Sequence, residues 1–190
     1  MCNKVFILSI ISSMGLMLAA FFYVAQPAAS TNMLQSDLGF QDKEAYVDSL
    51  TSFYESMGVN TTEDQIIKQA VKIKMFSQEA KSIGLEPKAV NVSGWNHDAA
   101  DPVNEELIED IGLAEAFMEY VINNYHVDDI VIKSYYRSNP LRFQKDLQNN
   151  SDLNLLDDEF KQSIRSEIIG TIKNRIAEET FGRLKEKYEN

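Results

Sequence analysis

Apolar and polar positions divide the chain into one long, uncharged and mainly apolar run followed by a series of helical stripes. The run extends from Val5 to Ala25. At about 1.5 Å per residue it would reach about 31 Å, one bilayer core. After a polar stretch, Tyr46, Leu50, Phe53 and Met57 recur at spacings of four, three and four, and Gly58 supplies a stop. Thr62 with Gln65 three residues later reads as a capping box that opens a second helix. Its stripe is Ile66, Ala70, Ile73 and Ala80, widened by Ile67, Val71 and Phe76. Gly84 sits where a left-handed residue closes a helix, and Pro87 prevents resumption.

Residues 86–101 break the periodicity and hold Trp95, the chain's one tryptophan. Asp101-Pro102 then combines an N-cap acid with a proline at the first helical position. The stripe that follows is Val103, Leu107, Ile111, Ala114, Met118, Val121 and Tyr125. Asp128 is placed to cap a short helix carrying Ile130, Val131, Tyr135 and Tyr136, and Pro140 disfavours helix at Asn139. The last stripe is the longest: Phe160, Ile164, Ile168, Ile172, Ile176, Phe181, Leu184 and Tyr188. A helix of that length needs several other helices, or a partner, to cover it. No strand pattern and no internal repeat stands out. The pattern predicts an all-α body of about five helices, with residues 1–30 as an export segment, 31–42 as a linker and 43–190 as one helical domain.

Charge narrows the functions open to that body. The chain carries 18 basic and 29 acidic residues, a net charge of −11. Lys4 is the one charged residue before Thr31. A surface so acidic argues against nucleic acid as a ligand. It suits a soluble body, and weakly suits cationic or unfolded partners. The single cysteine, Cys2, precedes the apolar run, so the body has no disulfide and no thiol chemistry.

The apolar run is longer than the ~7–15 residues usual in a secretory core, which favours an uncleaved signal anchor. Ala28-Ala29-Ser30 nevertheless offers a cleavage site. With Lys4 on the amino side and no further positive charge until Lys43, the N-terminus is expected in the cytoplasm and the body outside it. The expected location is the bacterial inner membrane with the body in the periplasm. The alternative is a soluble periplasmic or secreted protein cut near Ala29-Ser30.

Catalytic patterns are missing. The two histidines, His97 and His126, fall in different segments. His97 with Asp98 and Asp101 lacks a second nitrogen or sulfur ligand, so no metal site is expected there. There is no G-x-S-x-G, no H-E-x-x-H and no P-loop. The carboxylates fall mainly on outer helical faces, where a solvated surface is the ordinary reading. No catalytic residue and no cofactor is expected. Trp95, Phe117, Met118, Tyr120, Tyr135 and Tyr136 are the candidates for a groove that holds apolar segments, because tyrosine and methionine adapt to varied partners. The competing reading of the same residues is plain core.

Two stretches resemble a known family. "IIKQAVKIKMFSQEAKSIGLEP" resembles the helix of exported SurA-, PpiD- and PrsA-type chaperones, the match resting on Glu79, Ala80, Lys81, Gly84 and Leu85. "VDDIVIKSYYRSNPLRF" resembles a short segment of the same proteins through Asp128, Asp129, Tyr136, Asn139, Pro140 and Phe143. In that family the second segment leads into a parvulin prolyl-isomerase domain, after which a long helix completes the chaperone domain. The chain's last helical pattern looks like that returning helix. The family's opening strand is not evident, and between Phe143 and the last helix stands only "QKDLQNNSDLNL". The resemblance therefore implies a SurA N-terminal-like chaperone domain without its isomerase. Its partners would be unfolded or nascent exported polypeptides, and the inner membrane through residues 5–25. A non-catalytic interaction subunit of an envelope assembly is the alternative. The long last helix also permits a homodimer by helix exchange.

Overall fold

Each helix begins and ends where local chemistry supplies the missing backbone partners. The computed structural model describes residues 38–96, 98, 101–143 and 158–189. Helix α1, Lys43–Ser56, opens on Asp42, whose carboxylate accepts a hydrogen bond from the Ala45 amide at 3.1 Å. Helix α2, Glu63–Ser82, carries the expected capping box. Gln65 donates its amide to the Thr62 hydroxyl, and its side chain accepts from the Thr62 amide at 2.9 Å. Its far end turns through Gly84 at φ +74°, a left-handed conformation that favours glycine. The Leu85 amide then reaches back to the Ala80 carbonyl at 2.9 Å. Helix α3, Pro102–Asn123, starts on Asp101, whose carboxylate accepts from the Val103 amide at 2.9 Å.

Helices α4, Asp129–Ser138, and α5, Asp158–Glu189, complete the set. All five elements are α-helices, and no strand occurs among the described residues. Asp128 precedes α4 but makes no side-chain cap bond; its carboxylate pairs with the His126 ring at 3.0 Å instead. The stop at Asn139-Pro140 holds. The Asn139 side-chain amide donates to the Tyr135 carbonyl at 2.7 Å, satisfying one of the carbonyls a helix end leaves open.

The contacts within the chain form two compact units, one of residues up to Tyr120 together with Ala177–Asn190, the other of Val121–Ile176. In the first unit α1 buries Tyr46, Leu50, Phe53 and Tyr54, and α3 buries Leu107, Ile111, Leu113, Ala114, Phe117 and Met118. Between them in sequence, α2 is buried on every side from Val71 to Ser77. That run contains Lys72, Lys74 and Ser77 as well as Ile73, Met75 and Phe76, so burial there demands polar partners. Residues just before α1 pack as well. Leu38 is buried and its carbonyl accepts from Gln78 Nε2 at 2.8 Å, while Phe40 meets Tyr46 edge to face at 5.0 Å. Beyond α2 the loop crosses α3 at Gly112, whose carbonyl accepts from the Lys88 amide at 3.1 Å.

The second unit has its own core of Val127, Ile132, Tyr136, Phe143, Ile164 and Ile168. Tyr136 stacks on Phe143 at 5.1 Å and meets Phe160 edge to face at 5.9 Å. Arg165 ties the two ends of the unit together by donating to the Tyr125 carbonyl at 2.6 Å. Each such large apolar side chain, once fully buried, contributes roughly 1.5–3 kcal/mol. No helix among the described residues is long and apolar enough to cross a membrane. The Val5–Ala25 run, His97 and the segment 144–157 lie outside the described residues.

Candidate functional site

The six groove candidates divide between the two units, Trp95, Phe117, Met118 and Tyr120 in the first and Tyr135 and Tyr136 in the second. Trp95 is buried against Phe53, at 5.2 Å, and donates its indole N–H to the Ser52 hydroxyl at 3.1 Å. Phe117 packs on Phe76 at 5.5 Å, and Met118 is buried beside it on α3. Tyr136 is enclosed in the core of the second unit. Those four are buried. Tyr135 is half-buried and donates its hydroxyl to Glu167. That hydrogen bond keeps the phenol protonated beyond the ordinary tyrosine range. Tyr120 is 47% exposed, in the first unit.

The chemistry that periodicity missed is ionic and internal. In the first unit Lys74, on α2, reaches Glu106 and Asp110, one turn apart on α3, the second at 2.6 Å. Ser77 donates to the other Asp110 oxygen at 2.5 Å, and the Tyr46 hydroxyl approaches Asp110 at 3.4 Å. The rings of Phe40 and Tyr46 each stand 5.2 Å from the Lys74 ammonium. Burial, then the neighbouring Asp110 and Glu106 charges, push the Tyr46 hydroxyl well above the ordinary tyrosine range. The cluster thus joins α1, α2, α3 and the segment before α1 through one desolvated network.

A second centre holds the chain's last segment. Glu178 lies 2.7 Å from Lys72 and 3.3 Å from Lys68, both on α2. Near the other end of that segment Glu79 receives Lys187 at 2.5 Å and the Tyr188 hydroxyl at 2.9 Å. Burial lowers the Lys72 pKa, and the Glu178 carboxylate only partly offsets it. For Glu178 burial acts to raise the pKa, but the Lys72 hydrogen bond and the two lysine charges together hold it below the usual carboxylate range. Lys72 is fully enclosed, whereas Glu178 keeps some solvent.

In both centres the charged groups pair with opposite charges, and Ser77 has the Asp110 carboxylate beside it. Among the described residues no three His, Cys, Asp or Glu side chains group as a metal site.

Among the described residues the large exposed apolar side chains are Ile83 and Tyr120 in the first unit and three on or just after α4 in the second. The short helix buries Ile132 and Tyr136, so the opposite face turns outward with Ile130, Val131, Ser134, Arg137 and Ser138. Ile130 is 80% exposed, Val131 46%, and Leu141 in the following turn 87%. The unit that bears them is electrically neutral: Val121–Ile176 contains eight acidic and eight basic residues, so the whole net charge of −11 belongs to the other unit. On the other side of the segment Asn139 closes α4, and Tyr136 and Phe143 stack in the core.

Compared with known proteins, the chain matches no family model, and it has no significant match to a curated protein or to a solved structure.

Proposed function

We propose that the chain is an exported, membrane-anchored module of SurA-like type, without an isomerase domain, that holds unfolded or partly folded envelope proteins without ATP. The observation that carries the reading is the outward face of α4. A neutral unit of an acidic protein displays Ile130, Val131 and Leu141 within one short stretch. Exposed large aliphatic side chains that cluster in this way mark interaction surfaces. A neutral unit adds no net repulsion of its own toward acidic polypeptides. Action by such a surface is passive: a chain that is bound is withdrawn from aggregation by mass action.

The test is dilution of an unfolded outer-membrane protein, and separately of an unrelated client, into buffer with and without the purified chain, followed by light scattering. Suppression of aggregation for both clients at near-stoichiometric ratios is expected. No suppression with either client overturns the reading. A single partner recovered with the chain in fixed stoichiometry would replace it with a dedicated subunit of an envelope assembly. The mass of the mature N-terminus tests the anchor, because a start near Ala29–Thr31 would mean cleavage.

A further inference from the structure

The outer face of α4 has a polarity along its length. At 100° per residue, Ile130, Ser134 and Arg137 fall on one side of the helix, with Val131 and Ser138 beside them, opposite the buried Ile132 and Tyr136. The apolar end is formed by Ile130 and Val131. One small exposed serine, Ser134, leaves the middle of the face low. The far end is basic: Arg137 is exposed in the last turn, and Arg142 in the next turn is bound to Glu167 at 3.0 Å. Glu167 also accepts from Tyr135, so the charge of Arg142 is already matched within the unit.

We propose that this face takes apolar polypeptide segments that carry an aspartate or glutamate about two helical turns from the apolar anchor. The apolar side chain seats on Ile130 and Val131, the segment crosses Ser134, and its carboxylate pairs with Arg137. Charge complementarity decides the occupant. A guanidinium offers a carboxylate two parallel N–H donors, whereas it repels a lysine or arginine in the same place. The acidic surface of the rest of the chain already attracts basic segments from solution, and an unselective holder gains acidic ones through the neutral unit. This inference rests on the holding function proposed above and adds its sequence preference.

The experiment uses the full chain and three labelled peptides that share one leucine- and phenylalanine-rich core and end in two aspartates, two asparagines or two lysines. Binding is read by fluorescence anisotropy at low and moderate salt. The aspartate peptide is expected to bind about two- to five-fold more tightly than the asparagine peptide, with the difference shrinking as salt rises. Arg137→Glu reverses the order of the aspartate and lysine peptides, Arg137→Ala removes the preference, and Ile130→Ser with Val131→Ser weakens all three. Circular dichroism of each variant checks that α4 survives. A preference that ignores the residue at 137, or a preference for lysine in the unaltered chain, overturns the charge selection while leaving the holding function in place. Failure of every peptide to bind, with client aggregation unaffected, removes both. Binding to anionic but not zwitterionic vesicles, abolished by Arg137→Glu and without peptide binding, would also overturn the proposal and assign the face to lipid. Concentration-dependent dimerisation abolished by Ile130→Ser would overturn it in favour of a second copy.

Discussion

The Lys72 ammonium has no exposed surface and lies 2.7 Å from the Glu178 carboxylate, 106 residues further along the chain. This pair fixes where the last segment of α5 meets α2 within the first unit. Breaking it from one side leaves a buried charge without its nearest partner. Glu178→Gln is therefore expected to cost about 2–3 kcal/mol, toward the lower end for a buried pair because Glu178 keeps some solvent. Lys72→Met removes the buried charge and keeps the volume, and Glu178 retains Lys68, so its effect should lie within about 1 kcal/mol of zero. Urea unfolding followed by the fluorescence of the buried Trp95 measures both. Equal losses for the two variants would contradict the account.

The same pair predicts the acid limb of the stability curve. The folded-state pKa of Glu178 is lowered, so its contribution is present above the ordinary carboxylate range and is lost as pH falls through the folded value. Glu178→Gln should flatten that limb. A variant curve parallel to the parent through the acid range would exclude Glu178 as its source.

Asp110 is expected to be the costliest single carboxylate in the first unit. It serves Lys74, Ser77 and Tyr46 at once, so Asp110→Ala leaves three buried groups short of a partner. A loss of roughly 3 kcal/mol is expected, against under ~1 kcal/mol for an exposed acid such as Glu105. On the alkaline side, the raised folded-state pKa of Tyr46 means that its contribution holds below the ordinary tyrosine range and is lost as pH rises toward the folded value. Tyr46→Phe should blunt alkaline unfolding, which a pH titration of the denaturation midpoint reads directly.

Two helical glycines should respond in opposite directions. A Cβ on Gly112 would stand 2.4 Å from the Lys88 carbonyl oxygen, which belongs to backbone and has no rotamer to yield. Gly112→Ala is expected to cost about 2 kcal/mol through overpacking. Gly170, exposed on α5, has nothing within 4 Å of the same position. Gly170→Ala should stabilise by roughly 0.5–1 kcal/mol, the usual gain over glycine within a helix. Thermal unfolding of the two variants side by side is the check, and a stabilised Gly112→Ala would disprove the close crossing.

Glu115 supplies a mild case of the reverse sign. Burial raises its pKa, with the nearby Lys88 acting against that and Glu119 with it. Its ionised form is thus disfavoured in the fold, and stability falls as pH rises from the ordinary carboxylate range toward the raised value. Glu115→Gln should gain a few tenths of a kcal/mol at neutral pH, roughly, once solvent screening is allowed for, and nothing below the carboxylate range. Chemical denaturation at two pH values separates the outcomes.

The sequence by itself determined the helices. Caps, stops and stripes are local: the Thr62–Gln65 box, Gly84, Asp101-Pro102 and Asn139-Pro140 all act within a few residues of themselves. The all-α class and the order of the five helices follow from those signals. What the tertiary structure alone decided is which residues of each helix meet another element. Periodicity places Lys72 and Lys74 on α2 but says nothing of the carboxylates that make their burial tolerable, because Glu106, Asp110 and Glu178 lie 32 to 106 residues away. It likewise marks Ile130, Val131 and Tyr136 as apolar without telling the enclosed from the exposed. That choice belongs to Phe143, Phe160 and Ile164, which close over one side of α4 and leave the other to solvent. Local propensity is written in neighbours along the chain, whereas desolvation is set by whatever the fold brings alongside.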